Sequence, residues 1–235
     1  MKSETTSILY FTALILLRRL NVFSKSTATL FLKSKQNSNS CVIVLHGLGR
    51  TALSMLIPAL FLRKKFCDVF LYDYISGRLS LKEHAYQLRI FISHIQHKYE
   101  EINFLTHSMG GIIVRVFYAN FPDIFPKGKT LMLAPPNNGA KIADFFSKFT
   151  IVRKILKPLC EIRNIRESTV NKLPDPLFSH AIIAGKYDGK VKPQEAKTQT
   201  MQDFLLVNSS HTFIMNNIIV LESTINFFKN GKIKE

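Results

Sequence analysis

A chain of 235 residues is long enough for one sizeable core and too short for several domains. Hydrophobic residues make up 46% and charged residues 20%, with 19 phenylalanines, which excludes wholesale disorder, collagen-like repeats and a coiled coil. The 32 Lys and Arg against 16 Asp and Glu leave a formal charge of +16, a surplus that favours a polyanion: nucleic acid, anionic lipid or an acidic substrate.

Residues 1–40 differ from the rest. The apolar run Ile8 to Leu17 has the length of a signal-peptide core, yet Arg18 and Arg19 follow it and no small-residue cleavage site is visible. It is too short to span a bilayer. Two further readings are a helix in the membrane interface, with Arg18, Arg19 and Lys25 on headgroups, and a helix packed on the body of the protein. Lys33 to Ser40 is polar and low in complexity, a connecting loop. The main domain is expected to span residues 41–235.

From residue 41, strand-length apolar runs alternate with helical patterns. Strands are expected at Cys41–His46, Asp68–Tyr72, Ile102–Thr106, Thr130–Ala134, Ala181–Ala184 and Phe204–Val207, mostly continuous apolar runs as in buried parallel strands. Leu81, Ala85, Leu88, Ile92, Ile95 and Tyr99 form one helical stripe, and Ile214, Ile218, Leu221, Ile225 and Phe228 another. The alternation predicts a doubly wound, mostly parallel α/β sheet of about six strands with helices on both faces, and ligands beyond the carboxyl ends of the strands. Residues 140–178 interrupt the pattern with a basic, helix-like stretch, a candidate lid. Cys41, Cys67 and Cys160 are scattered and odd in number, which reads as reduced thiols rather than a disulfide framework or a zinc site.

The loops after successive strands carry Ser108, Asp188 and His211, in that order. A serine hydroxyl becomes a strong nucleophile when an imidazole takes its proton and a carboxylate orients the imidazole. Gly110 and Gly111 follow Ser108, as a sharp strand-to-helix turn requires, and the helix beginning at Met109 aims its N-terminus at the site. The N–H groups of Met109 and Leu48 are the expected oxyanion donors. Asp123, Asp144, Asp175 and Asp203 compete with Asp188, but Asp188 alone sits in a tight glycine-flanked loop directly after a buried strand. Among the histidines, His84, His94 and His97 are expected on solvent-facing helix positions and His46 and His107 beside the site, while His211 follows the last strand.

The strings His46-Gly47-Leu48-Gly49-Arg50, Thr106-His107-Ser108-Met109-Gly110-Gly111, Leu133-Ala134-Pro135-Pro136-Asn137-Asn138-Gly139, Asp188-Gly189-Lys190-Val191 and Ser210-His211-Thr212-Phe213 together resemble the lipase/esterase branch of the α/β-hydrolase superfamily, in small bacterial hydrolases. Thr106 departs from the family pattern, which has Gly there. The resemblance implies an α/β-hydrolase sheet, Ser108 as nucleophile, Asp188 and His211 as its relay, and ester or thioester hydrolysis without a cofactor. Phe145, Phe146 and Phe149 in the lid candidate are expected to bury an acyl chain.

Other readings remain open at this stage: an acyltransferase or thioesterase on the same residues, a dinucleotide enzyme using Gly47-Leu48-Gly49 with Asp68, and a non-catalytic membrane-binding protein. The expected partners are an acyl ester or lipid and an anionic membrane surface, with no nucleic acid, in a monomer. Six basic residues against one acid fall within 1–40, leaving +11 for the remainder. That distribution fits a membrane-associated chain, or a secreted or periplasmic one if the first segment is a signal peptide; a cytoplasmic place stays open.

Overall fold

The computed structural model describes residues 2–20, 27–36, 38–124 and 126–234. Helix α1 (Lys2–Leu20) is followed by β1 (Ala28–Leu32), β2 (Ser40–Leu45), α2 (Leu56–Lys65), β3 (Asp68–Asp73), α3 (Leu81–Ile95), β4 (Glu101–His107), α4 (Met109–Asn120) and β5 (Thr130–Leu133). Four short helices come next: α5 (Lys141–Phe146), α6 (Thr150–Ile155), α7 (Pro158–Glu161) and α8 (Thr169–Lys172). The chain closes with β6 (His180–Gly185), α9 (Pro193–Ala196), β7 (Asp203–Val207) and α10 (Ile218–Asn230). The strands form one sheet in the order β1-β3-β2-β4-β5-β6-β7, parallel except for β1, which runs antiparallel to β3.

Both faces of the sheet are covered, which is why its inner strands read as unbroken apolar runs. Along β2, Cys41, Ile43 and Leu45 enter the core under α3 and α4, while Val42 and Val44 enter the core under α1, α2 and α10. The six expected strands are all present. The seventh, β1, lies within the stretch read from sequence as helix and linker, so the sheet begins at Ala28 rather than at Cys41. Its period-two burial, with Ala28, Leu30 and Leu32 inside, is too brief a signal to stand out in a polar neighbourhood. The following loop is tied down as well: Ser34 N–H donates to Asp68 Oδ1 at 2.6 Å and its hydroxyl to the Arg63 carbonyl at 3.0 Å.

Helix α1 packs on the sheet edge through Phe11 and Ile15, with Leu9, Tyr10 and Leu16 exposed. No helix among the described residues is long and apolar enough to cross a membrane. Lys25 and the side chains of Arg18 and Arg19, expected on headgroups, lie outside the described residues.

Two helical stripes need correction. In α3, capped by the reciprocal Ser80–Glu83 box, His84 is buried rather than solvent-facing, because it stands three residues after Leu81 and four before Leu88 on the inward stripe. In α10 the buried positions are Val220, Leu221, Ser223, Thr224, Phe227 and Phe228, while Ile218 and Ile219 are exposed. Asn217, whose side chain accepts from Ile219 N–H, starts the helix there, and Ile214 belongs to a separate 3₁₀ turn.

The insertion between β5 and β6 covers the carboxyl end of the sheet. Its helical stretch is broken at Ser147–Phe149 and again before Pro158. Lys157 N–H donates to the Gly77 carbonyl at 2.9 Å, and Leu81 N–H to Glu161 Oε2 at 2.9 Å, pinning α6 and α7 to the loop leading into α3.

Candidate active site

Ser108 is the single residue between β4 and α4, and it holds φ 52° and ψ −123°. A side-chain-bearing residue with positive φ is strained and persists where its surroundings over-determine it. Here Ser108 N–H donates to the Leu133 carbonyl of the neighbouring strand at 2.8 Å, and Gly111 N–H to the Ser108 carbonyl at 3.0 Å. A Cβ on Gly110 would stand 2.9 Å from the His46 carbonyl oxygen, so only glycine lets α4 approach β2 this closely. A Cβ on Gly111 would stand 3.1 Å from Thr106 Oγ1. The threonine that departs from the family pattern is thus accommodated by the glycine five residues later.

Asp188 and His211 are held as one unit. Asp188 Oδ1 accepts the N–H groups of Lys190 and Val191, each at 2.8 Å, and Asp188 Oδ2 lies 2.7 Å from His211 Nδ1. That contact assigns the proton to Nδ1 and leaves Nε2 as the basic nitrogen. The loops carrying the two residues are zipped together. Lys186 N–H donates to the Val207 carbonyl and Tyr187 N–H to the Ser209 carbonyl, and a Cβ on Gly185 would stand 2.5 Å from the Ser209 oxygen.

A cavity of about 260 Å³ brings Ser108, His211, His107 and the loop Gly47–Arg50 together. Leu48 lines it, and Met109, fully buried, opens α4 beside Ser108, so its N–H is among the first of the helix, without a carbonyl one turn back. The Leu48 loop is braced from behind. Gly49 N–H donates to Ser76 Oγ at 2.9 Å and Ala52 N–H to Asp73 Oδ1 at 2.8 Å, while the His46 ring stacks on Tyr74 at 4.1 Å and the Tyr74 hydroxyl donates to the His46 carbonyl. Asp73, Tyr74 and Ser76 were missed by sequence reasoning, because their place at the carboxyl end of β3 marks only their neighbourhood and not their contacts to the Leu48 loop.

His107 is completely buried against His211. Its Nε2 lies 2.9 Å from the His211 carbonyl oxygen, and the two ring centroids are 4.8 Å apart. Burial, reinforced by the neighbouring His211, pushes its pKa well below the usual histidine range, so the ring is neutral and carries its proton on Nε2.

Three of the competing acids are engaged elsewhere, Asp123 with Arg89 at 2.7 Å, Asp144 with Asn164 N–H at 3.1 Å and Asp203 with Ile233 N–H at 2.8 Å, and Asp175 lines a separate pocket with Arg115 and Pro174. Of the three phenylalanines expected to hold substrate, Phe146 lines the cavity together with Ile142, Val152, Leu156, Leu159 and Ile162. Phe145 and Phe149 lie outside its wall, exposed, and pack on one another with ring centroids 5.8 Å apart. The dinucleotide reading fails on placement. Asp68 sits at the amino end of β3, bound to Ser34 N–H and Tyr99 at the far end of the sheet, and Gly47 packs on His107 and Ser108. No group of acids, histidines and cysteines among the described residues has the arrangement of a metal site.

The sheet order, the strained serine between strand and helix, and the helices on both faces make this the α/β-hydrolase fold. No family model matches the sequence, and no curated protein matches it. Among solved structures the chain is similar to the Bacillus licheniformis lipase BlEst2 in mature form, with a TM-score of 0.70 and 12% identity over 87% of this chain and 98% of that one. It is similar also to a monoacylglycerol lipase from Paleococcus ferrophilus, with a TM-score of 0.56 and 15% identity over 79% and 90% of the two chains. An enol-lactonase from Burkholderia xenovorans LB400 matches with a TM-score of 0.59 and 14% identity over 88% and 97%.

Proposed function

We propose that this chain is a serine hydrolase that cleaves acyl esters through an acyl-enzyme on Ser108. The observation that carries the reading is the Asp188–His211 pair, 2.7 Å apart, whose His211 lines the same apolar-walled cavity as the strained Ser108. His211 Nε2 takes the Ser108 proton as Oγ attacks the acyl carbon. The N–H groups of Leu48 and Met109 receive the oxyanion, helped by the α4 N-terminus. His211 then returns its proton to the departing alcohol, and water, activated by the same nitrogen, releases the acid and restores Ser108. Transfer to another acceptor, or attack on a thioester, would use the same acyl-enzyme. The test is labelling with a fluorophosphonate probe. The native protein should be labelled and Ser108→Ala should not, and a folded native protein that resists the probe would overturn the reading.

We also infer an anionic lipid surface as the place where substrate is met. Phe145, Phe149, Ile151 and Ile155 are exposed on α5 and α6, accompanied by Lys148, Arg153, Lys154 and Lys157 with no acid between residues 145 and 157. Leu9, Tyr10 and Leu16 on α1 add a second exposed apolar strip. Flotation with vesicles checks this: phosphatidylglycerol vesicles should carry the protein and purely phosphatidylcholine vesicles should not.

A further inference from the structure

The helix that follows Ser108 carries a buried cation. Arg115 on α4 is 5% exposed, and it stands seven residues after Ser108, two turns along the same helix face and about 10 Å farther down the axis. Burial pulls its pKa from 12.5 down to about 10, against the opposing pull of Asp175, so the guanidinium keeps its charge at neutral pH. Its Nε has no hydrogen-bond partner among the described residues. Packing alone would be served as well by an apolar side chain of that size, so the gain from this cation lies in what its other nitrogens hold in place.

Those nitrogens grip both feet of the insertion. Nη1 donates to the Asn137 carbonyl at 2.9 Å and to Asn137 Oδ1 at 3.2 Å, just after β5, and Nη2 donates to the Pro174 carbonyl at 3.2 Å, ahead of β6. Asn137 passes the restraint on. It is buried, and its amide donates through Nδ2 to the carbonyl of Ala196, the last residue of α9, at 2.7 Å. The next residue repeats the tie, with Asn138 N–H on the Glu195 carbonyl at 2.9 Å. The Glu195 side chain is buried in turn, its Oε2 accepting Lys192 N–H at 2.8 Å and its Oε1 accepting Lys141 N–H at 3.3 Å. Directly before Lys192, the N–H groups of Lys190 and Val191 hold Asp188. Ser108 follows β4 and Asp188 follows β6, with β5 between them. Strand pairing fixes the strands, but the loops beyond their ends need ties of their own, and the path from Arg115 through Asn137 and α9 supplies one.

We propose that Arg115, acting through Asn137, is a positioning residue for the reaction: it sets the Asp188 loop, and with it His211, against Ser108. This rests on the ester-hydrolase reading above and adds to it a residue that does not line the cavity.

Two variants test this. Asn137→Asp keeps an oxygen for Arg115, and its charge strengthens that contact, but it has no donor for the Ala196 carbonyl. Arg115→Lys keeps the charge and loses the planar fork that reaches two segments at once. Each is assayed on a short soluble ester, well below its own melting temperature, and its competent sites are counted by fluorophosphonate labelling carried to completion. The expected result in both is a kcat per labelled site lower by about tenfold or more, with KM changed by no more than about twofold. A contact that served the fold alone would cost melting temperature and labelled sites and leave the surviving sites at the native rate. Native kcat per labelled site in either variant therefore overturns the proposal, and so does a rise in KM with kcat unchanged; both leave the hydrolase reading standing. If the folded native protein cleaves no ester and Ser108 takes no fluorophosphonate, the hydrolase reading itself falls and the proposal with it.

Discussion

The Nε2 proton of His107 is directed at the carbonyl oxygen of His211, 2.9 Å away. The residue just before Ser108 therefore holds the backbone of His211, the base in the proposed mechanism, across more than a hundred residues of sequence. Replacing His107 with Phe keeps a ring of similar bulk but removes that donor. We expect kcat on a short soluble ester to fall by about 10²-fold with KM little changed, since small misplacement of a base is costly. Steady-state kinetics separate the two parameters, and a fall in KM-linked binding alone would contradict a positioning role.

Asp188→Asn should fold and should lose about 10⁴-fold in kcat, because the amide can no longer hold His211 in the Nδ1–H form while also serving the Lys190 and Val191 N–H groups. Fluorophosphonate labelling rates give the same comparison without a substrate.

The glycines after Ser108 answer two different neighbours. Gly110→Ala drives a Cβ toward backbone at the end of β2 and should lower stability by about 1–3 kcal/mol. Gly111→Ala meets chiefly the Thr106 hydroxyl and then Pro135, so the double variant Thr106→Gly with Gly111→Ala should recover part of the loss. Urea unfolding of the single and double variants measures the coupling.

Gly77 is the hinge contact for the insertion. A Cβ there would stand 2.8 Å from Leu156 Cδ2 and 2.9 Å from the Ile155 carbonyl oxygen, and Leu156 lines the cavity. Gly77→Ala should displace α6 outward, raise KM for long-chain esters several-fold and leave short ones less affected. Equal effects on both chain lengths would argue that the lid does not touch the acyl chain.

Three buried histidines make the fold acid-sensitive. Burial lowers the pKa of His84 from 6.5 to about 4, and lowers those of His107 and His180 too. A histidine whose folded pKa is depressed takes up its proton more readily when unfolded. Its contribution is therefore whole above the unfolded pKa and is lost as pH falls below about 6.5. For His84 the loss ends near pH 4 and amounts to about 3 kcal/mol. Melting temperature should drop steeply between pH 7 and 5, and His84→Leu should flatten part of that slope.

Much of this arrangement is legible in the chain. The inner strands announce themselves because both faces are buried, and the loop after each strand can then be searched for chemistry, which yields Ser108, Asp188 and His211. Other features are out of reach for physical reasons. β1 has only five residues at a sheet edge. His84 is polar by type but apolar by position. Asp73, Tyr74 and Ser76 act through contacts to a loop more than twenty residues earlier, and spacing along a sequence carries no record of such contacts. Phe145 and Phe146 are neighbours on α5, and only the packing of that helix over the sheet decides that Phe146 rather than Phe145 reaches the cavity.

The zipper between the loops after β6 and β7 has a consequence for biosynthesis. Ser108 emerges early, but His211 hangs from the last strand, and α10 must still fold back onto the face that carries α2. An incomplete chain leaving the ribosome, or one that stops before the end of β7, holds Ser108 without His211. On the proposed mechanism, the order of synthesis itself keeps Ser108 idle until the whole sheet is assembled.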